Sequence, residues 1–145
     1  MFLRRRLKIC LNAVEETILS RFETGIEKFN SGEYYDCHDI LEDVWFDIRG
    51  PSRKFYQGLI HLAVGFYHIL KRKNPNGAIS QLTKGKEKLS AYLPQFQGVE
   101  LTDLLGKINT CITEITKIKN GESVSFDESL IPRIKFDRKL FIEPE

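Results

Sequence analysis

Apolar residues recur along this chain in steps of three and four. Leu3, Leu7, Cys10, Leu11, Val14, Ile18, Phe22, Ile26 and Phe29 form the first such stripe, which is the mark of a helix with one face turned to a core. "NSG", Asn30–Gly32, stops it. A second stripe, Tyr34, Cys37, Leu41, Val44, Trp45 and Ile48, predicts a helix from about Glu33 to Asp47. "RGPS", Arg49–Ser52, interrupts again, since glycine and proline both break helices. Ser52 then stands where a cap is needed for a third helix, "RKFYQGLIHLAVGFYHILKRK". Its last turn is basic, as the helix dipole favours. "NPNG", Asn74–Gly77, reads as a tight turn ahead of a fourth helix, from Ala78 to about Leu93. A fifth, from about Glu100 to Lys119, carries Leu101, Leu104, Leu105, Ile108, Cys111, Ile112, Ile115 and Ile118 at helical spacing.

After Lys119 the character changes. The segment 120–145 has two prolines and short alternating apolar pairs, which predicts an extended tail laid over the helices, with a strand pairing along it. Phe126, Ile131, Ile134, Phe136 and Phe141 are its docking residues. No strand pattern of any length precedes it. The expected fold is therefore all-α: one domain over 1–145, a bundle of about five helices with an extended C-terminal tail. "GIEKFNSGEYYDCHDILE" and "GFYHILKRKNPNGAISQL" each place a helix, a turn with Asn and Gly, and a second helix. The bundle thus reads as helix hairpins, with a weak likeness to a helical repeat.

The bulk numbers change this picture little. A chain of 145 residues with 41% hydrophobic and 29% charged residues is ordinary for a soluble domain able to bury a real core. Net charge is +2, so no strongly basic face is expected and nucleic acid is not the anticipated partner. Arg4–Lys8 and Lys71–Lys73 are local basic clusters that read as solvated helix ends. The basic start is followed by no apolar run long enough for a signal peptide, and no stretch reaches the roughly 20 apolar residues that span a bilayer. A cytoplasmic protein is expected, without membrane association. The long first helix offers an exposed face for a homodimer.

Three cysteines, Cys10, Cys37 and Cys111, are too few and too scattered for a disulfide framework or a CxxC metal pair. Each reads as a small buried apolar residue. Cys37 adjoins His38, and a thiolate beside an imidazolium can be reactive. On a helix, however, adjacent side chains point about 100° apart.

The polar residues on the apolar stripes carry the candidate chemistry. Tyr34, His38, Leu41 and Trp45 fall within about 60° of one another on the second helix, with Glu42 one turn after His38. An imidazole and a carboxylate at i and i+4 can supply two metal ligands, or a base and the group that orients it. On the third helix Gln57, His61 and His68 lie within about 40°, His68 about 10 Å along the axis from His61. The short connection makes the two helices antiparallel neighbours. A pocket enclosing His38, Glu42, Gln57 and His61 is therefore expected, with Asp39 at its rim and Trp45 and His68 beside it.

Three readings stay open for that pocket. His38, Glu42 and His61 can hold a divalent metal such as zinc, iron or manganese, since imidazole and carboxylate suit all three. The same groups can form a closed hydrogen-bond network that sets helix register. Or they line a groove for a small ligand or a protein partner. Spacing alone favours the network, because HxxxE is common by chance and lacks the second histidine of HExxH. Gly58 and Gly65, seven residues apart on one face, predict close approach of a neighbouring helix at some cost in helix propensity. Neither belongs to a phosphate-binding loop, and Tyr34, Tyr35, Tyr56 and Tyr67 read as core.

The stretches "FNSGEYYDCHDILEDVW", "RKFYQGLIHLAVGFYH" and "NPNGAISQL" resemble the bacterial and archaeal domain-of-unknown-function family 309. Its members carry a G-x-[YF]-[YF]-[DE]-x-H-[DE]-x-[LI]-E-x-x-W segment, then F-x-Q-G-L-I-x-x-A, then a histidine near the end of the third helix. The likeness runs from Phe29 to Leu82, within a family-like core of about 29–93. The resemblance implies a small all-helical protein and no particular activity. Its motif positions here are Asp36, His38, Asp39, Glu42, Trp45, Gln57, Gly58 and His68. His61 stands where the family has glutamine as often as histidine, which leaves His38, Glu42 and Gln57 as the firmer trio. The expectation is a polar pocket between helices two and three that takes a divalent metal or small ligand. The competing expectation is a non-enzymatic interaction module in which the cluster only ties hairpins together.

Overall fold

A computed structural model describes residues 17–144. The beginning of the first stripe, Leu3 to Val14 with Cys10 and the Arg4–Lys8 cluster, lies outside the described residues. Helix α1 (Ile18–Asn30) starts at Thr17, whose side chain accepts from the Ser20 N–H at 2.9 Å. Phe22, Gly25, Ile26 and Phe29 are its buried face. It ends where expected. Gly32 takes φ +80°, its N–H bonds the Phe29 carbonyl, and the Glu33 N–H bonds the Lys28 carbonyl. That pair of bonds closes a helix C-terminus and calls for a left-handed residue, which glycine adopts freely.

Helix α2 (Tyr34–Asp47) folds back on α1. Arg21 of α1 pins the hairpin near its open end, with its guanidinium 2.9 Å from Asp47 and 3.5 Å from the Asp43 carbonyl. Helix α3 (Arg53–Leu70) is apolar on most sides, burying Phe55, Tyr56, Leu59, Leu62, Phe66 and Ile69 among others. Such a helix must be covered on more than one face, and α2 and α4 cover it. Ser52 stands at the position before α3, but its side chain makes no capping bond. A capping side chain needs extended backbone beneath it, and Ser52 is already helical at φ −78°, ψ −8°.

Helix α4 (Pro75–Leu89) begins three residues before the predicted start, because "NPNG" is its first turn and not a turn preceding it. Asn74 accepts from the Gly77 N–H at 3.0 Å, and Pro75 fills the first helical position, where a missing N–H costs nothing. The expected close approach occurs between α3 and α4. A Cβ on Gly58 would lie 2.7 Å from Leu89, and one on Gly65 2.7 Å from Leu82. From the other side, Leu62 rests on Gly85.

After a 3₁₀ turn (Ser90–Tyr92) comes an element absent from the expectation. Strands β1 (Gln95–Phe96) and β2 (Val99–Glu100) pair antiparallel across Gln97 and Gly98, both at positive φ. Two left-handed residues in succession match the twist of a tight hairpin. Strands of two residues are too short to show alternation. The Glu100 carboxylate then accepts from the Thr102 and Asp103 N–H groups, both at 2.9 Å, and opens helix α5 (Thr102–Lys119).

The tail docks, as its apolar residues predicted. Phe136 bridges to Val99, and Asn30 holds the backbone of Ile134 by both ends of its amide, at 2.7 and 3.0 Å. Gln97 does the same for Ile142 at 2.9 and 2.6 Å, and also donates to the Tyr56 hydroxyl at 3.1 Å. Each helix packs chiefly on its sequence neighbour, so the all-α reading holds with five helices among the described residues. None of these helices is long and apolar enough to cross a membrane.

Candidate functional site

Helix geometry places His38 between two carboxylates. Its Nε2 lies 3.0 Å from Glu42 Oε2, one turn on, and its Nδ1 3.4 Å from Asp39 Oδ1. Ligand atoms of His38, Asp39 and Glu42 all fall within 4.8 Å of one another. The three side chains are 23, 24 and 26% exposed. That exposure leaves water able to reach the cluster, while the core beneath restricts the side chains. A neutral imidazole has a single N–H and can donate to one carboxylate only. Asp39, expected at the rim, is a full member of the group.

Beside this cluster is a cavity of about 180 Å³, lined by Tyr35, His38, Val64, Tyr67, His68 and Arg72. Because α2 and α3 run antiparallel, the early residues of α2 meet the late residues of α3. Tyr35 packs on His38 and Tyr67, with ring centroids 5.7 and 5.4 Å apart. His38 thus shares a wall with His68.

The remaining predicted residues lie elsewhere. His61 turns to α4, where its Nδ1 is 2.7 Å from Gln81 Oε1, and it is outside the His38 group. It shares a helix face with His68, but the neighbours of that face differ along the axis: Gln81 and Gly85 at His61, Gly77 and the cavity at His68. Gln57, half-buried one turn before His61, is outside the cavity lining. Trp45 is partly buried on the core, with the Arg53 guanidinium 4.0 Å over its ring. Tyr35, Tyr67 and Arg72 were the residues missed. The two tyrosines read as core and the arginine as a solvated helix end, and only their convergence marks them.

Burial governs the chemistry of the other groups. Cys37 is fully buried, and desolvation pushes its thiol up to about 12, so it is no nucleophile for the outward-facing His38. Cys111 is pushed to about 12 by the same cause. His61 is shifted down, first by desolvation and further by Lys88 and Lys84, against the raising effect of Gln81. In the folded state it therefore binds a proton less readily than in the unfolded chain, and stability rises with pH through this group. That contribution is present above the unfolded value near 6.5 and is lost as pH falls below it. Urea midpoints at pH 8 and pH 5.5 are expected to differ less in His61→Gln, which keeps a partner for Gln81, than in the wild type. An equal difference in both proteins would remove His61 as the cause.

The fold and site together define a small protein of stacked helical hairpins, with a histidine–dicarboxylate cluster on one helix. Residues 22–81, from α1 into α4, match the family described as Domain of unknown function (DUF309). The chain is also similar to an uncharacterized protein of Aquifex aeolicus (strain VF5), 28% identical over 92 residues, 63% of this chain and 26% of that protein. It is similar too to the uncharacterized protein YpuF of Bacillus subtilis (strain 168), 39% identical over 54 residues, 37% of this chain and 30% of that protein. The chain thus spans about a quarter to a third of the length of these relatives.

Proposed function

We propose that α2 carries a divalent-cation site, with His38 and Glu42 as ligands and Asp39 as the third donor. The observation that supports this reading is the approach of one imidazole nitrogen and two carboxylate oxygens to within 4.8 Å on a single helix. One nitrogen and two oxygens suit manganese, iron(II) or zinc, with water filling the remaining positions. Two anionic donors around one imidazole also favour a cation over a neutral ligand at that point. A bound ion with open positions would serve as a Lewis acid or as an anchor for a ligand's oxygen.

The test is calorimetric titration of the untagged, metal-stripped protein with Zn²⁺ and Mn²⁺. One ion per chain is expected. His38→Ala and Glu42→Gln should each weaken binding by more than the 10–100-fold typical of changes to outer-shell partners, while His61→Gln leaves it unchanged. Absence of binding in the wild type, with His38→Ala melting lower, would make the cluster a structural feature and end the proposal. Loss of binding in His61→Gln alone would end it as well.

A further inference from the structure

The cavity beside His38 has a chemistry of its own. Its floor and sides are Val64 and the rings of Tyr35, Tyr67 and His68, so most of what a ligand would touch is flat or apolar. Its one permanent charge is Arg72, which is exposed just past the end of α3 and has no carboxylate partner among the described residues. Lys71 and Lys73 adjoin that arginine in the chain. His38, also in the lining, joins the cavity to the cluster with Asp39 and Glu42. His68 Nδ1 is shielded from solvent and has no hydrogen-bond partner among the described residues, an uncommon state for a buried polar atom.

From this arrangement we infer that the cavity binds a small carboxylate with a flat apolar body. The carboxylate lies at Arg72 and the body against Tyr35, Tyr67 and Val64. The inference deepens the cation-site reading and rests on it in one respect, since His38 is a wall common to both. Size sets the class of ligand. A cavity of about 180 Å³ falls below the roughly 300 Å³ at which drug-sized ligands begin to fit, and equals the liquid volume of roughly six waters. A single aromatic ring with one short substituent is of that size. Charge sets the rest. A guanidinium presents a planar fork of donors that matches a carboxylate's two oxygens, and Arg72 supplies that fork in the lining.

Benzoate is the probe, with benzamide as its uncharged counterpart of the same shape. Both are titrated into the full chain and followed by the aromatic and histidine proton resonances, with and without one equivalent of Zn²⁺. Benzoate is expected to shift the Tyr35, Tyr67 and His68 signals and to bind at least about tenfold more tightly than benzamide. That preference is what a charge-assisted hydrogen bond supplies at a partly exposed site. Arg72→Gln, at an exposed position where folding is not at stake, should erase the preference. Val64→Phe should block both probes, and Tyr35→Ala should weaken both if Val64→Phe fails to fold. The inference is overturned if the wild type shows no shifts in either arm. It is equally overturned if benzoate binds alike in the wild type and in Arg72→Gln. The two readings fail separately: a protein that binds zinc but not benzoate removes this one, whereas a protein that binds benzoate but fails to bind added zinc removes the cation site and leaves this one standing.

Discussion

Phe22→Ala is expected to destabilise the protein by about 3–5 kcal/mol, the range for truncating a fully buried phenylalanine. Phe22 has no solvent exposure, and its ring meets four others: Phe55 at 6.1 Å, Tyr56 at 5.2 Å, Phe136 at 5.3 Å and Phe141 at 5.7 Å. Two of those partners are on α3 and two on the tail. The substitution therefore opens a cavity where α1, the central helix and the tail come together, and relaxation of any one of them cannot fill it. A small domain has roughly 5–15 kcal/mol of stability in all, so about a fifth or more is at stake. Urea unfolding measures the loss, and limited proteolysis reads the tail separately, since cleavage after Arg133, Lys135 or Arg138 should accelerate in the variant. Phe141→Ala, at a partly buried site, should cost less. A loss near 1 kcal/mol for Phe22→Ala would show that the tail and α3 do not depend on this ring.

Gly85→Ala and Gly106→Ala should move stability in opposite directions. Both glycines are inside helices, α4 and α5, where alanine is favoured by up to about 1 kcal/mol. At Gly106 nothing lies within 4 Å of the added methyl, so Gly106→Ala should gain about 0.5–1 kcal/mol. At Gly85 the methyl would sit 2.8 Å from the Gly58 carbonyl oxygen, 2.7 Å from Leu62 and 3.2 Å from the Cβ of His61. Leucine can swing aside, but a backbone carbonyl cannot. The helices must separate, and overpacking of this kind costs about 1–3 kcal/mol, which outweighs a propensity gain of up to about 1 kcal/mol. Thermal melts of the two variants beside the wild type decide the matter. If Gly85→Ala is neutral, the α3–α4 contact is looser than the geometry states.

Much of this fold could be read along the chain because helices are built from local contacts. The stripe from Phe22 to Phe29, the stop at Gly32 and the apolar run of α3 each follow from spacing within a few residues. The all-round apolar character of α3 accords with its cover by both α2 and α4. The hairpin at Gln97 could not be read, because its two-residue strands carry no period. Gln97 tolerates a left-handed backbone where its side chain is held by Tyr56 and Ile142, residues 41 and 45 positions away. Ser52 failed as a cap for a related reason, since its type suits the role but its backbone, set by the turn from α2, does not.

The candidate site divides along the same line. His38 and Glu42 are one turn apart, so their meeting was a property of the helix and needed no partner; Asp39 adjoins them for the same cause. Which histidine of α3 would stand beside them was a different kind of question. Seven residues along one helix face carry a side chain about 10 Å, enough to change what it faces. His61 therefore meets Gln81 on α4, while His68 and Arg72 close the cavity with His38. One-dimensional spacing states which residues share a face. How helices cross, how near glycines such as Gly58 and Gly85 let them come, and so which faces meet, is set by side chains far apart in the chain and exists only once they are packed.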